Sequence, residues 1–437
     1  MRRYLVIGAG VAGIAASEAI NRYDPAGKIL MVSEESVGYY SRPGLAYYLT
    51  GEIGENMLFP FSKQDYQNLN IQLLNSRVER INSQSHQIEL EGGTLVPYNR
   101  LLIATGSYAA TSRVPGSELE GVVKLDNLFD ARKILKLARK ARSAVVVGGG
   151  ITALELVEGL RSRGLKTHYF LRKDRYWSNV LDQTESEILV HRLKEEGVII
   201  HYHTELDEVV GANGRVMGVK TADGRMIRCD LVAVAIGVRP RIELARNAGL
   251  QVDRGIVVDG CMQSSQPDIF AAGDVAQVHD PITGSSVLNT LWGPAREQGF
   301  IAGSNMAGVR MDYSRSIPFN VTRLAGITTT IIGTVGKGED EDLVGIARGD
   351  SETWRQLPDA IAAQNDFEVN RLRILVGEDT ILGAVVMGDQ TLSRPIQDLV
   401  SNQVDIRPFR SRLLEPSPPL SDLILDIWMD WKSCYAQ

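Results

Sequence analysis

The sequence predicts an α/β chain: two Rossmann-like, three-layer dinucleotide-binding domains, one inserted in the other, and a small C-terminal α+β domain. Three observations carry this. An apolar run, Tyr4 to Ile7, meets Gly8-Ala9-Gly10-Val11-Ala12-Gly13 and then an alanine-rich helical pattern. The same order returns at Ala144 to Val147, followed by Gly148-Gly149-Gly150-Ile151-Thr152-Ala153 and a helix ending near Gly164. From about Pro318 the pattern changes to a hairpin, a helix and a terminal helix. The expected spans are 1–115 with 246–317 for the first domain, 116–245 for the inserted one and 318–437 for the third. A chain of 437 residues has room for two or three cores.

The remaining elements follow in order. "KILMVSEE" is the second strand of the first fold and ends at Glu34. "LLIATGS", Leu101 to Ser107, is a buried strand running into a glycine turn. In the inserted fold "KTHYFLRK" is the second strand, and "DLVAVAIGVRP" mirrors "LLIATGS". "QPDIFAAGDVAQ", Gln266 to Gln277, returns to the first fold. Beyond it, "NRLRILVGEDTILGAVVMGD" reads as two strands around Gly377-Glu378-Asp379-Thr380. "SRPIQDLVSNQ" reads as a helix and "EPSPPLSD" as a proline-rich linker. "LSDLILDIWMDW" reads as an amphipathic helix with Ser421 as its cap.

Composition limits the function. A net charge of -6 argues against nucleic acid as a general partner, because phosphate neutralisation needs a basic surface. No apolar run reaches the length of a membrane span. The N-terminus enters a buried strand at once, which leaves no room for a cleavable signal and makes the cytoplasm the expected location. Cys229, Cys261 and Cys434 lie far apart and form no metal-binding spacing, so no metal cluster is expected. His201 and His203 would share one strand face, but with no third ligand they read as a surface or core pair.

The glycine motifs carry the binding chemistry. Gly8 permits a tight turn, Gly10 lets a pyrophosphate approach the backbone, and Gly13 lets helix and strand pack closely. Glu34 stands where a carboxylate accepts a hydrogen bond from a ribose 2′-OH. Gly148, Gly150 and Ala153 repeat this logic. There the expected acid position is Leu171, followed by Arg172 and Lys173. A carboxylate would repel a 2′-phosphate, whereas a guanidinium pairs with it, so NADPH is favoured over NADH. The plainer alternative is that these two cations solvate a strand end. Glu155 lies two residues beyond Ala153, towards the nicotinamide end. It either acts on the carboxamide or hydride transfer, or is an ordinary helical glutamate.

Together, Gly8-x-Gly10-x-x-Gly13, "ATG" at Ala104 to Gly106, Gly148-x-Gly150-x-x-Ala153 and "FAAGD" at Phe270 to Asp274 resemble the pyridine nucleotide–disulfide oxidoreductase superfamily. Within it the chain is most similar to the FAD-containing part of NAD(P)H nitrite reductases and to rubredoxin and ferredoxin reductases. The resemblance covers Arg2 to about Ala307. It implies that FAD lies along the first domain and NAD(P)H reaches it from the inserted one. It also implies roles for single residues. Glu34 would bind the adenosine ribose of FAD, while Arg42 and Pro43 lie along the pyrophosphate and isoalloxazine. Thr105 and Gly106 would border FAD, Gly273 and Asp274 would hold the ribityl chain, and Gly237 would border NAD(P)H.

Two departures matter. Disulfide- and peroxide-reducing relatives place a cysteine about where this chain has Pro43. Rubredoxin- and ferredoxin-type relatives often place a lysine where it has Tyr47. A thiolate is needed to attack a disulfide, so thiol-based chemistry is not expected. The resemblance then implies hydride transfer to flavin N5 and direct delivery to an external acceptor: a redox protein, a partner subunit, a quinone, a dye or oxygen. The alternative is a redox-sensing or assembly flavoprotein subunit with little turnover. Tyr39, Tyr40, Tyr47 and Tyr48 either pack the flavin or serve as core and rim aromatics.

Two surfaces invite partners. "ARKILKLARKARS" places Arg132, Lys136, Arg139 and Lys140 on one helical face, to steer an acidic carrier or simply to meet solvent. The stripe Leu423, Ile424, Ile427, Trp428 and Trp431 packs on its own domain or forms a subunit interface, compatible with a homo-oligomer.

Overall fold

The computed structural model describes residues 2–279, 286–314, 317–335, 360–367, 370–415 and 419–435. In the first fold, five parallel strands stand in the order Ile269–Ala271, Arg100–Ile103, Arg3–Ile7, Lys28–Ser33 and Ile71–Asn75. Tyr4, Leu5, Val6 and Ile7 are all buried, because both faces of this central strand are covered. An antiparallel meander, Val78–Asn82, Gln87–Leu90 and Leu95–Pro97, is added to it. The inserted fold repeats the parallel arrangement as Ile199–His201, Lys166–Phe170, Ser143–Val147, Leu231–Val234 and Val122–Val123.

Two joints decide where the site lies. Ser107–Ala109 pairs antiparallel with Val238–Pro240, with Tyr108 opposite Arg239. This ribbon lays the mirrored strand ends of the two folds side by side. The second joint is between the helices Val11–Tyr23 and Trp292–Ala307. A Cβ on Gly299 or Gly303 would stand 2.2 Å from the carbonyl oxygen of Ala12 or Ala16. Only bare backbone fits there, so the first glycine-nosed helix is held at close range by the helix that follows "FAAGD".

The third domain is a five-stranded antiparallel sheet in the order Phe319–Leu324, Ile327–Gly333, Ile381–Met387, Asn370–Val376 and Ala360–Phe367. The helices Ser393–Ser401 and Leu420–Tyr435 cover one face. Leu423, Ile424 and Ile427 are buried in that core, so the apolar stripe packs on its own domain. Trp428 Nε1 donates to Asp398 at 3.0 Å. Ile331, Val385 and Met387 instead join a core shared with the inserted fold. The terminal helix begins at Leu420, and the Pro419 carbonyl accepts its first amides, so Ser421 sits in the first turn and is not the cap. Part of the proline-rich segment falls at 416–418, outside the described residues.

Two smaller expectations change. The strand Ile199–His201 stops before His203, whose φ is +47°, so the two histidines do not share a strand face. His201 instead meets His168, nitrogen to nitrogen at 2.9 Å. The basic helix spans Leu128–Ala138, so Arg139 and Lys140 lie beyond it, and Arg132 is paired with Glu55 at 2.6 Å.

Candidate active site

A cleft of about 1300 Å³ runs along the carboxyl ends of both parallel sheets and is lined by both glycine turns. Gly8 has φ +111°, and a Cβ there would stand 2.2 Å from the Ala104 carbonyl oxygen. Gly148 has φ +148°, with the Ala235 carbonyl oxygen 2.1 Å from a Cβ. Each turn is therefore pressed against the neighbouring strand end and only glycine is accommodated. The two helices that follow, Val11–Tyr23 and Ile151–Ser162, have glycine N-caps, no side-chain cap bond and no acid in the first turn. The helices Lys63–Asn68, Leu128–Ala138 and Gln183–Glu195 are all capped by side chains. The two cleft helices thus keep amides and positive dipole ends free for an anion. That is the cradle a dinucleotide pyrophosphate requires, and it occurs twice.

The first fold contributes Gly8, Gly10, Glu34, Arg42, Thr105, Gly106, Gly273 and Asp274 to the lining. The inserted fold contributes Gly148, Gly150, Ala153, Arg172, Lys173 and Gly237. Three expected residues do not line the cleft. Gly13 lies under the turn, where a Cβ would meet the Gly8 carbonyl at 2.2 Å. Pro43 is the N-cap of the helix Gly44–Thr50. Glu155 stands one turn inside its helix, half-buried, and burial pushes its carboxyl up to about 7. Glu158, also raised to about 7 mainly by burial, accepts from the Gly326 amide at 3.2 Å.

Several residues of the cleft escaped the sequence reading. Ser107 Oγ donates to Asp274 at 2.6 Å. Burial raises the Asp274 carboxyl pKa, against the Ser107 bond and the Arg42 charge. Gln298 accepts from the Gly273 amide at 2.9 Å and so fixes the turn before Asp274. Arg241 reaches Asp126 at 3.2 Å and Glu34 at 3.7 Å. Arg42 pairs with Glu35 at 2.7 Å and donates to the Asp126 carbonyl at 2.5 Å. Together these charges tie the first fold to the inserted one. No motif announces them; only Asn127-x-x-Asp130, a helix-start pattern, marks the place where Asp126 lies.

The tyrosine-rich segment divides. Tyr39 and Tyr40 are buried, and Tyr40 lines the cleft and donates to Glu35 at 2.8 Å. Tyr48 donates to Glu55 at 2.8 Å. Tyr47 is 38% exposed, with the Arg323 guanidinium stacked over its ring. Among the described residues no cysteine lines the cleft, and no group of three or more His, Cys, Asp or Glu is arranged to hold a metal ion.

Two anion cradles facing one cleft across the antiparallel ribbon define a protein that holds two dinucleotides. The family model for pyridine nucleotide-disulphide oxidoreductases matches residues 2–299, and the chain belongs to that family. It is 32% identical over 303 residues to the rubredoxin-NAD(+) reductase of Pseudomonas putida, covering 69% of this chain and 79% of that one. It is 31% identical over 327 residues to the NADH oxidase of Methanocaldococcus jannaschii, covering 71% of each. The putidaredoxin reductase of a covalent complex with putidaredoxin shares the fold at TM-score 0.84 and 24% identity, over 98% of this chain and 99% of that one. The chain is an FAD-dependent NAD(P)H oxidoreductase that delivers electrons to an external acceptor. Among the described residues no helix is long and apolar enough to cross a membrane.

Proposed function

We propose that the enzyme draws on NADPH in preference to NADH and serves a small one-electron carrier protein of ferredoxin or rubredoxin type in the cytoplasm. The observation that carries the preference is Arg172 and Lys173, which line the cleft immediately after the strand Lys166–Phe170. A 2′-phosphate is recognised by such a pair and a bare 2′-hydroxyl is not. Rubredoxin and ferredoxin stand in the names of several relatives, which supports the carrier.

In this reading, residues 1–115 with 246–317 hold FAD and residues 116–245 hold NAD(P)H. Gly8, Gly10 and Gly13 shape the first pyrophosphate cradle and Gly148, Gly150 and Ala153 the second. Glu34 binds the adenosine ribose and Asp274 the ribityl chain, with Arg42, Thr105, Gly106 and Gly273 beside FAD and Pro43 behind them as a helix cap. Gly237 borders the nicotinamide dinucleotide, while Glu155, one turn inside its helix and outside the cleft lining, is given no part in the chemistry. Bound FAD supplies the conversion between a two-electron donor and a one-electron acceptor.

Anaerobic stopped-flow reduction with each nicotinamide tests the preference. NADPH should reach half-saturation at a concentration about tenfold or more below NADH. Equal or reversed half-saturation overturns it. Rapid reoxidation by a purified ferredoxin or rubredoxin supports the carrier, and reoxidation by small dyes alone counts against it.

A further inference from the structure

The third domain reaches into the inserted fold with two buried guanidinia, those of Arg371 and Arg373. Arg373, on the strand Asn370–Val376, is 5% exposed at its side chain. Its Nε and Nη2 donate to the two carboxylate oxygens of Glu185 at 2.7 and 3.0 Å. Nη2 also donates to the Val180 carbonyl at 2.8 Å, and Nη1 to the Val335 carbonyl at 2.9 Å. The neighbouring Arg371 pairs with Asp182 at 2.5 Å. Asp182 and Glu185 form the capping box of the helix Gln183–Glu195. The start of this helix and the residue just ahead of it are therefore gripped from outside their own domain.

That grip falls on a segment that matters. Arg172, Lys173, Arg175, Trp177, Ser178 and Asn179 line the cleft, and Val180 follows directly. Trp177 has φ +48° and is buried, so the loop takes an unfavourable turn that its surroundings must impose. A buried ion pair adds little net stability over apolar packing, but removing one partner leaves the other charge buried and uncompensated. Glu185 is completely buried, and its bidentate partner comes from a strand 188 residues away.

We propose that Arg373 is a positioning residue for NAD(P)H: from the C-terminal domain it sets the 172–181 segment and thereby the affinity for the adenosine-ribose end of the dinucleotide. This rests on reading the inserted fold's side of the cleft as the nicotinamide-dinucleotide site. Affinity is altered through the loop; the reacting atoms are untouched, so KM moves and kcat does not.

The test compares FAD-loaded wild type, Arg373→Met and Arg373→Lys in NADPH-dependent ferricyanide reduction. Arg373→Met should raise the KM for NADPH roughly 5- to 150-fold, the usual range for coupled sites, with kcat within about twofold and FAD content unchanged. Arg373→Lys keeps the charge but loses the fork, and its KM should lie between the two. A folded Arg373→Met enzyme with wild-type KM overturns the proposal even if it melts earlier, since a purely structural role would give that pattern. If that variant does not fold, Arg373→Lys decides by the same reading. Should neither fold, hydrogen exchange on wild type decides. NADPH must then increase protection in 370–376 as well as in 172–181, and protection confined to the inserted fold overturns the coupling. A wild type that holds FAD but is reduced by neither nicotinamide sinks the site reading itself, which separates the two failures.

Discussion

Ser107 Oγ donates a 2.6 Å hydrogen bond to Asp274 across 167 residues of sequence. It closes the first cradle by joining two strand ends that carry glycine turns, Gly106 and Gly273. Ser107→Ala would leave the half-buried Asp274 carboxyl short of one partner, at a cost of about 1 kcal/mol. Weaker FAD binding, by about fivefold or more, is therefore expected in fluorescence titration of the apoprotein. An unchanged Kd would show that the pair does not shape the FAD site.

Glu155 and Glu158 set a pH dependence. Burial raises both folded carboxyls from 4.5 to about 7. Below 4.5 both are protonated in the folded and unfolded chains, and their burial carries no charge penalty. As pH climbs through the interval up to about 7, the unfolded chain releases its protons first and stability falls. The penalty is complete above about 7, up to about 3 kcal/mol for one such carboxyl alone and less than twice that for the pair, which titrates jointly. Glu155→Gln with Glu158→Gln removes it. Urea midpoints of the FAD-loaded proteins should thus diverge between about pH 4.5 and 7 and run parallel above. Parallel profiles throughout would contradict the burial of these groups.

Helix approach is the next test. A Cβ on Gly299 would stand 2.2 Å from the Ala12 carbonyl oxygen. Gly299→Ala must push apart two helices, one of which forms the first anion cradle. Destabilisation of about 1–3 kcal/mol is expected, with loss of FAD on gel filtration. The control is Gly293→Ala, where a Cβ meets nothing within 4 Å. Equal behaviour of the two variants would defeat the packing argument.

Electron delivery should be indifferent to sulfur. Cys229 is buried with its thiol pushed up to about 12 by burial, and Cys261 is raised mainly for the same reason. Combining Cys229→Ala, Cys261→Ser and Cys434→Ser should leave kcat/KM for NADPH-dependent ferricyanide reduction within about twofold. Iodoacetamide should not inhibit the native enzyme. A loss of about tenfold or more in either experiment would mean that a thiol relays charge.

The glycine turns, the buried parallel strands and the helices that follow the turns were readable in the linear chain, because each depends on residues within one strand–turn–helix unit. Local backbone sterics decide them, and the same short pattern occurs twice. The C-terminal hairpin was readable for the same reason. Glu34 followed from its place at the end of the second strand and Asp274 from the strand end at "AAGD" read beside the two glycine motifs, whereas Arg42 could be nominated only through resemblance. Only the tertiary structure decided that Asp126 and Arg241 bridge the folds, that Ser107 meets Asp274, and that Arg373 enters a neighbouring domain. These contacts join residues tens to hundreds of positions apart. Their partners are selected by how the domains dock, and a one-dimensional pattern carries no information about that.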